Sequence, residues 1–233
     1  MKKNKTIIFM TAFIFCFLFI FLEKKIPSVN ENNLSTLNSF VKTFHADGGC
    51  YTIVNAANEQ IIDEACIKTN RNISITTEGF KKSFYAIALK NNENKYTKKQ
   101  IYDYLSQYIF SSSETLTIKQ LTSSYVKFLQ NKNNYIEQKY IKNIMAKNVT
   151  EGTAKKANIE GANIHGLTST TTLPNKNNIT TFIGNFSHND HDYVVVALLV
   201  SPKGLKTTFG YNSAGWNSVP LAAELIKNIM GDS

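Results

Sequence analysis

The sequence predicts an α+β fold, an antiparallel sheet with helices packed on it, preceded by one N-terminal transmembrane helix. Three observations carry that prediction. Strand-like runs flank short turns at both ends of the domain, amphipathic helical stripes lie between them, and an uncharged apolar segment opens the chain. At 233 residues and 42% hydrophobic content there is material for one core, but hardly for two domains.

The N-terminal segment comes first. "IIFMTAFIFCFLFIFL", residues 7–22, follows the basic tail of residues 1–6 and carries no charge. It is slightly short for a spanning helix and long for a signal-peptide core. No small-residue cleavage site follows in "EKKIPSVNENN", so the segment reads as an uncleaved signal anchor. Lys2, Lys3 and Lys5 outweigh the flank after it, where Glu23 offsets one of Lys24 and Lys25. The positive-inside rule then places the rest of the chain outside the cytoplasm, in the periplasm or at the outer surface of a bacterium. Residues 23–33 form a tether and 34–233 the domain.

Within the domain, "LSTLNSFVKTFH" spaces Leu34, Leu37, Val41 and Phe44 as one helical face. "CYTIVNA" and "EQIID" read as strands around the turn "AAN". After "RNISI", the run "TTEGFKKSFYAIALKN" sets Phe80, Phe84, Ile87 and Ala88 on one stripe, with Thr77 as its N-cap. Helices over 97–110, 116–130 and 133–147 follow. The first has Ile101, Tyr104, Leu105, Tyr108 and Ile109 on one face, and Thr117 and Asn134 cap the other two. "NITTFIGNF" and "DYVVVALLV" are strands joined by "SHNDH", and "VPLAAELIKNIM" is a closing helix with Pro220 in its first turn.

The net charge of +9 is spread among asparagines and is not gathered into one block. It suits anionic lipid or an anionic wall polymer, and nothing specific supports nucleic acid. A Lys/Asn/Ile-rich composition also arises from codon bias alone. Cys16 lies in the apolar segment, which leaves Cys50 and Cys66 as a disulfide in an exported domain or as two buried thiols.

Taken in order, these segments resemble the transpeptidase domain of penicillin-binding proteins, most closely the class B, division-type enzymes. "MAKNVTEGTAKKANIEGANIHGLTSTTT" is similar to that family's approach to its active-site strand, V-T-x-G-T-G-x-x-A followed by G-x-x-x-G-G-K-T-G-T-A. "TTFIGNF", "DYVVVALLV" and "SAGWNSVPLAAELIKNI" resemble its closing strands and helix, including the step Gly215, Trp216, Asn217 and Pro220. "LTIKQLTSSYVKFLQN" is similar to the helix v-T-P-x-Q-L-a-x-x-Y, and "TTEGFKKSFYAIALKN" to the nucleophile segment P-G-S-x-F-K-x-F. About half the chain is covered. The implied fold is a reduced penicillin-binding transpeptidase or β-lactamase-like one.

The resemblance implies a serine nucleophile with a lysine one turn later, to take the hydroxyl proton during acyl transfer from a D-Ala-D-Ala peptide or penicillin. Aligned in this way, Lys81 holds the lysine position and Glu78 the serine position, where a carboxylate makes an i,i+3 ion pair with Lys81 but no useful acyl acceptor. The K-T-G element reads Leu167, Thr168, Ser169, so its cation is gone. Thr168 and Thr170 remain as substrate-binding hydroxyls. No S-x-N occurs between Lys81 and Thr117, and that region is short for the family's helical subdomain.

Other matches are looser. "SFVK" from Ser39 and "SSYVK" with Ser124 satisfy S-x-x-K in a Lys- and Ser-rich chain, where solvated helix positions explain both. "SHN" from Ser187 to Asn189 is an S-x-N by letters but sits in a turn. His188, Asp190, His191 and Asp192 cluster, yet a hairpin tip points alternate side chains apart, so no metal is assigned. His45 and His165 read as surface or half-buried residues. No cofactor is implied.

The expectation is therefore a protein of the bacterial inner membrane with a transpeptidase-like domain outside, linked to peptidoglycan synthesis. It would be a pseudoenzyme that binds a wall stem peptide, with penicillin binding weak or lost, or that binds a division or elongation membrane protein. A remnant left by relaxed selection fits the same losses. Two alternatives stand beside it: an active serine D,D-transpeptidase or β-lactamase relative using Ser83, Ser39 or Ser124, and an unrelated anchored periplasmic binding protein.

Overall fold

The computed structural model of the chain describes residues 29–91, 96–131, 135–172, 178–204 and 212–231. The basic tail 1–6, the anchor 7–22 and the cap expected at Asn134 lie outside these residues. Among the described residues no helix is long and apolar enough to cross a membrane.

Helix α1 (Glu31–Thr43) starts inside the expected tether because Asn30 caps it, accepting from the Asn32 and Asn33 amides. Of its expected apolar face Leu37, Val41 and Phe44 are buried, whereas Leu34 is exposed. Strand β1 (Gly48–Asn55) pairs antiparallel with β2 (Ile61–Ile67). The sequence places this second strand at 59–63, but the connection runs to Gln60, with Glu59 in the left-handed region at φ 57°. "RNISI" contributes only β3 (Ile75–Thr76), which pairs with β4 (Thr115–Leu116) as a clasp.

Between these lie α2 (Glu78–Lys90) and α3 (Lys98–Tyr108). After β4 come α4 (Ile118–Gln130) and α5 (Tyr135–Glu151). Thr117 caps α4 in a capping box with Gln120, as the sequence predicts, and Thr97 with Gln100 does the same for α3. Thr77 occupies the position before α2 but caps nothing there. Its hydroxyl donates instead to the Ser113 and Glu114 carbonyls and so fastens the β4 loop.

The last third supplies β5 (His165–Thr172), β6 (Asn178–His188), β7 (His191–Val200) and α6 (Ser218–Met230). Asn189 and Asp190, at φ 48° and 60°, form the two-residue turn between β6 and β7, which positive φ at both positions matches to the strand twist. The five long strands make one antiparallel sheet in the order β2-β1-β7-β6-β5.

That sheet is covered on both faces, which explains why "DYVVVALLV" is continuously apolar and does not alternate. Val194, Val196 and Leu198 pack toward α2, α4 and α5, while Val195, Ala197 and Leu199 pack toward α1 and α6. The second face also holds a polar node. The buried Asp63 carboxylate accepts from Asn33 (2.7 Å), the Tyr51 hydroxyl (2.8 Å) and the Asn30 amide (3.1 Å), and Asn228 of α6 donates to Asn33. Burial, then the bond to Asp63, pushes the Tyr51 phenol far above its ordinary range, so it stays a donor. Cys50 and Cys66 are register partners joined by a disulfide, which settles the alternative left open by the sequence.

Candidate functional site on the edge strand

Strand β5 is one edge of the sheet, and α2, α5 and the turn of residues 214–216 pack around it. Helix α2 lays Phe80 and Phe84 into the core, which brings its first turn and Ser83 against the strand.

Three hydroxyls meet there. Ser83 Oγ lies 3.0 Å from both Thr153 Oγ1 and Thr168 Oγ1, which are 2.7 Å apart. The buried Asn148 fixes the group: its amide nitrogen donates to the Gly166 carbonyl (2.9 Å) and, at 3.4 Å, to Ser83, and its oxygen accepts from the Thr153 amide and hydroxyl, both at 3.1 Å. Every polar side-chain atom of this cluster is therefore partnered by a neutral hydroxyl, amide or carbonyl. It can offer hydrogen bonds, and among the described residues no lysine, histidine or carboxylate is hydrogen-bonded to Ser83 to take its proton. A hollow of about 290 Å³ opens next to it, walled by Ser83, Lys90, Asn148, Glu151 and Thr153. Lys90 closes that wall by donating to the Glu151 carbonyl at 3.1 Å.

The first turn of α2 is tighter. A Cβ on Gly79 would stand 2.1 Å from Ser169 Oγ, so helix and strand touch with no room for a side chain. Glu78, one residue earlier, is exposed and pairs with Lys82 at 3.6 Å rather than with Lys81 as the sequence suggests. Leu167 is fully buried in the core beneath α2, and Thr168 and Ser169 are buried with it. Thr170 is exposed and accepts from the Ala214 amide at 3.2 Å, which ties the Gly215–Trp216–Asn217 step to β5. Trp216 is half-covered by Lys156, whose Nζ sits 4.0 Å from the ring centroid. Burial, then Lys155, lowers the Lys156 amine.

Of the three alternative serines, Ser83 alone reaches β5. Ser39 is exposed on α1, which packs against α6, β1 and β2. Ser124 is buried on α4 and bonded to Ser111 at 2.8 Å. Ser187 is bonded to Asp192 at the hairpin, and His188 faces His191 in register. Among the described residues no group of three or more His, Cys, Asp or Glu is placed to hold a metal. Half-buried His165 meets Asn185 at 3.4 Å, and burial, then Lys142, lowers its imidazole, against a smaller opposing pull from Asp192. Sequence reasoning missed Asn148 as the organiser. The only signal was an amide-bearing residue near the end of a helix five positions before Thr153.

The sequence matches no protein-family model and no curated protein. Solved structures do match. The transpeptidase domain of the FtsI4 D,D-transpeptidase from Legionella pneumophila superposes with a TM-score of 0.68 at 18% identity, over 86% of this chain and 96% of that one. The transpeptidase domain of penicillin-binding protein 3 from Burkholderia pseudomallei gives 0.65 at 11% identity, over 90% and 97%. A peptidoglycan glycosyltransferase from Burkholderia ambifaria gives 0.61 at 13%, over 87% and 94%. With strands β5, β6 and β7 adjacent in one sheet and helices on both faces, the chain has the fold of penicillin-binding-protein transpeptidase domains.

Proposed function

We propose that this is a membrane-anchored, extracytoplasmic protein of peptidoglycan synthesis whose transpeptidase-like domain binds and does not acylate. The observation that carries the reading is the closed contact of Gly79 on Ser169, beside a fully buried Leu167. Whether the nucleophile position falls at Glu78 or Gly79, no hydroxyl stands there. Leu167, which the resemblance aligns with the K-T-G lysine, faces the core and could not carry a charge to a carboxylate. What remains for a ligand is the hydroxyl cluster of Ser83, Thr153 and Thr168, with Thr170 further along the edge. These groups suit hydrogen bonds to a stem-peptide backbone or to a division or elongation membrane protein. The anchor at 7–22 and the Cys50–Cys66 bridge agree with an oxidising compartment outside the inner membrane.

A second reading rests on Ser83, the serine that reaches β5, as an acyl acceptor. Its hydrogen-bond partners among the described residues are two hydroxyls and an amide, none able to act as a base. Intact mass of the full chain after incubation with a penicillin separates the two readings. No adduct is expected; an adduct that disappears in Ser83→Ala establishes the active enzyme instead. Titration of a stem pentapeptide, followed by amide NMR shifts at Thr153 and Thr168, then tests the binding role. Shifts confined elsewhere leave the partner-binding role in its place.

A further inference from the structure

Five large hydrophobic side chains stand exposed among the described residues, and three of them gather where the chain enters the domain. Val29 (44% exposed) precedes the cap of α1, Leu34 (38%) follows one turn into the helix, and Ile61 (37%) opens β2. Asp63 holds the two elements together. Its carboxylate accepts from the Asn30 amide at 3.1 Å and from the Asn33 side chain at 2.7 Å, and Ile61 lies two residues back along the strand, about 7 Å away. From α6, Asn228 donates to Asn33 at 2.9 Å and to Thr36 at 3.2 Å, so the start of α1 is fixed from a second side. Ile61 stands beside Val54 and Val126 on the α4 face of the sheet and Leu34 on the α1 face, so the apolar residues flank the edge strand β2.

The chain before this corner points to the partner. From residue 22, where the expected anchor ends, to Val29 there are seven peptide steps, which span at most about 25 Å. A domain of this size is about 40 Å across, so the corner stays nearer the lipid than the far side of the domain can come. The exposed charged residues that flank the three along the chain, Glu31 and Glu59, are acidic. They offer no attraction to anionic headgroups, which leaves apolar contact as the means of association.

We propose that Val29, Leu34 and Ile61 rest in the outer interface of the bilayer that holds the anchor, so that the sheet stands on its β2 edge. The hydroxyl cluster at β5 is then held four strand spacings, about 19 Å, farther from the lipid. This inference rests on the anchored reading given above.

The chain has a single tryptophan, Trp216 beside β5, so an indole reports position. In the full chain reconstituted into phosphatidylcholine vesicles, Trp216 emission should be unchanged when the lipid is replaced by brominated phosphatidylcholine. In a Trp216→Phe background, Leu34→Trp and, separately, Ile61→Trp should be strongly quenched by the bromines, whereas Leu89→Trp, equally exposed but on α2, should not. Adding Val29→Ser should weaken the quenching of the Leu34→Trp variant. Exchanging part of the lipid for phosphatidylglycerol, or raising salt to about 0.5 M, should leave it unaltered. Vesicle flotation separates the two levels of the argument. A chain that does not float with the lipid removes the anchor and this inference with it; a chain that floats while Leu34→Trp and Ile61→Trp stay unquenched keeps the anchor and overturns the seating alone. Quenching that requires phosphatidylglycerol, or that reaches Leu89→Trp equally, overturns it as well.

Discussion

The two edges of the sheet make opposite use of their polar groups. At the β5 edge, Ser83, Thr153, Thr168 and Asn148 satisfy one another, and Gly79 closes on Ser169. Near the β2 edge, the Thr52 hydroxyl is buried without a hydrogen-bond partner among the described residues, and Lys119 is exposed to solvent. A ligand at the first edge would have to exchange those internal hydrogen bonds for its own. At the second, one hydroxyl is buried away from both solvent and partner.

The largest expected effect breaks the comparison at Leu167. Leu167→Lys would restore the motif in letters but place an unpaired ammonium in the core, so urea unfolding should show a loss of roughly 3–5 kcal/mol and no penicillin adduct. A stable, acylating variant would show that the β5 edge is an open site after all. Next comes the bridge. Replacing Cys50 and Cys66 by alanine should cost about 3 kcal/mol, read from the same transition, because the cross-link no longer restrains the unfolded chain.

Gly79→Ala should cost about 1–3 kcal/mol by driving a methyl into Ser169. Adding Ser169→Gly should return most of that loss, and a double-mutant cycle showing no coupling would mean that helix and strand are not in contact. Ser83→Ala should cost about 1 kcal/mol, the worth of an ordinary hydrogen bond, with the penicillin experiment unchanged.

The smallest effect is in pH. Burial lowers the His165 imidazole, so its folded value lies below the ordinary 6.5 and the unfolded chain binds the proton first. Stability from this group is present above pH 6.5 and is lost as pH falls through the folded value. His165→Gln should flatten that part of the stability profile, and an unchanged slope would remove His165 as its source.

The layered architecture was largely legible. Continuous apolar runs such as "VVVALLV" announce a strand covered on both faces, and stripes such as Phe80, Phe84 and Ile87 announce helices, because burial repeats with the period of the backbone. The Thr117 cap was legible for the same local reason. Thr77 was not, since its hydroxyl found the Ser113 and Glu114 carbonyls, 36 and 37 positions away, in place of its own helix. Asn148 was equally hidden. Its role depends on Gly166 and Ser83, which the chain brings close only after β5 has paired with β6.

The sequence by itself determined the fold class, the order of its elements, and the lack of S-x-x-K spacing in the segment resembling the nucleophile motif. Those properties are written in local periodicity and residue identity. Only the tertiary structure decided that Leu167 faces the core, that Gly79 meets Ser169, that Cys50 meets Cys66, and that the Thr52 hydroxyl is buried with no partner among the described residues. Each of these depends on which face of a strand is covered and by what, and long-range strand register sets that rather than the neighbours along the chain.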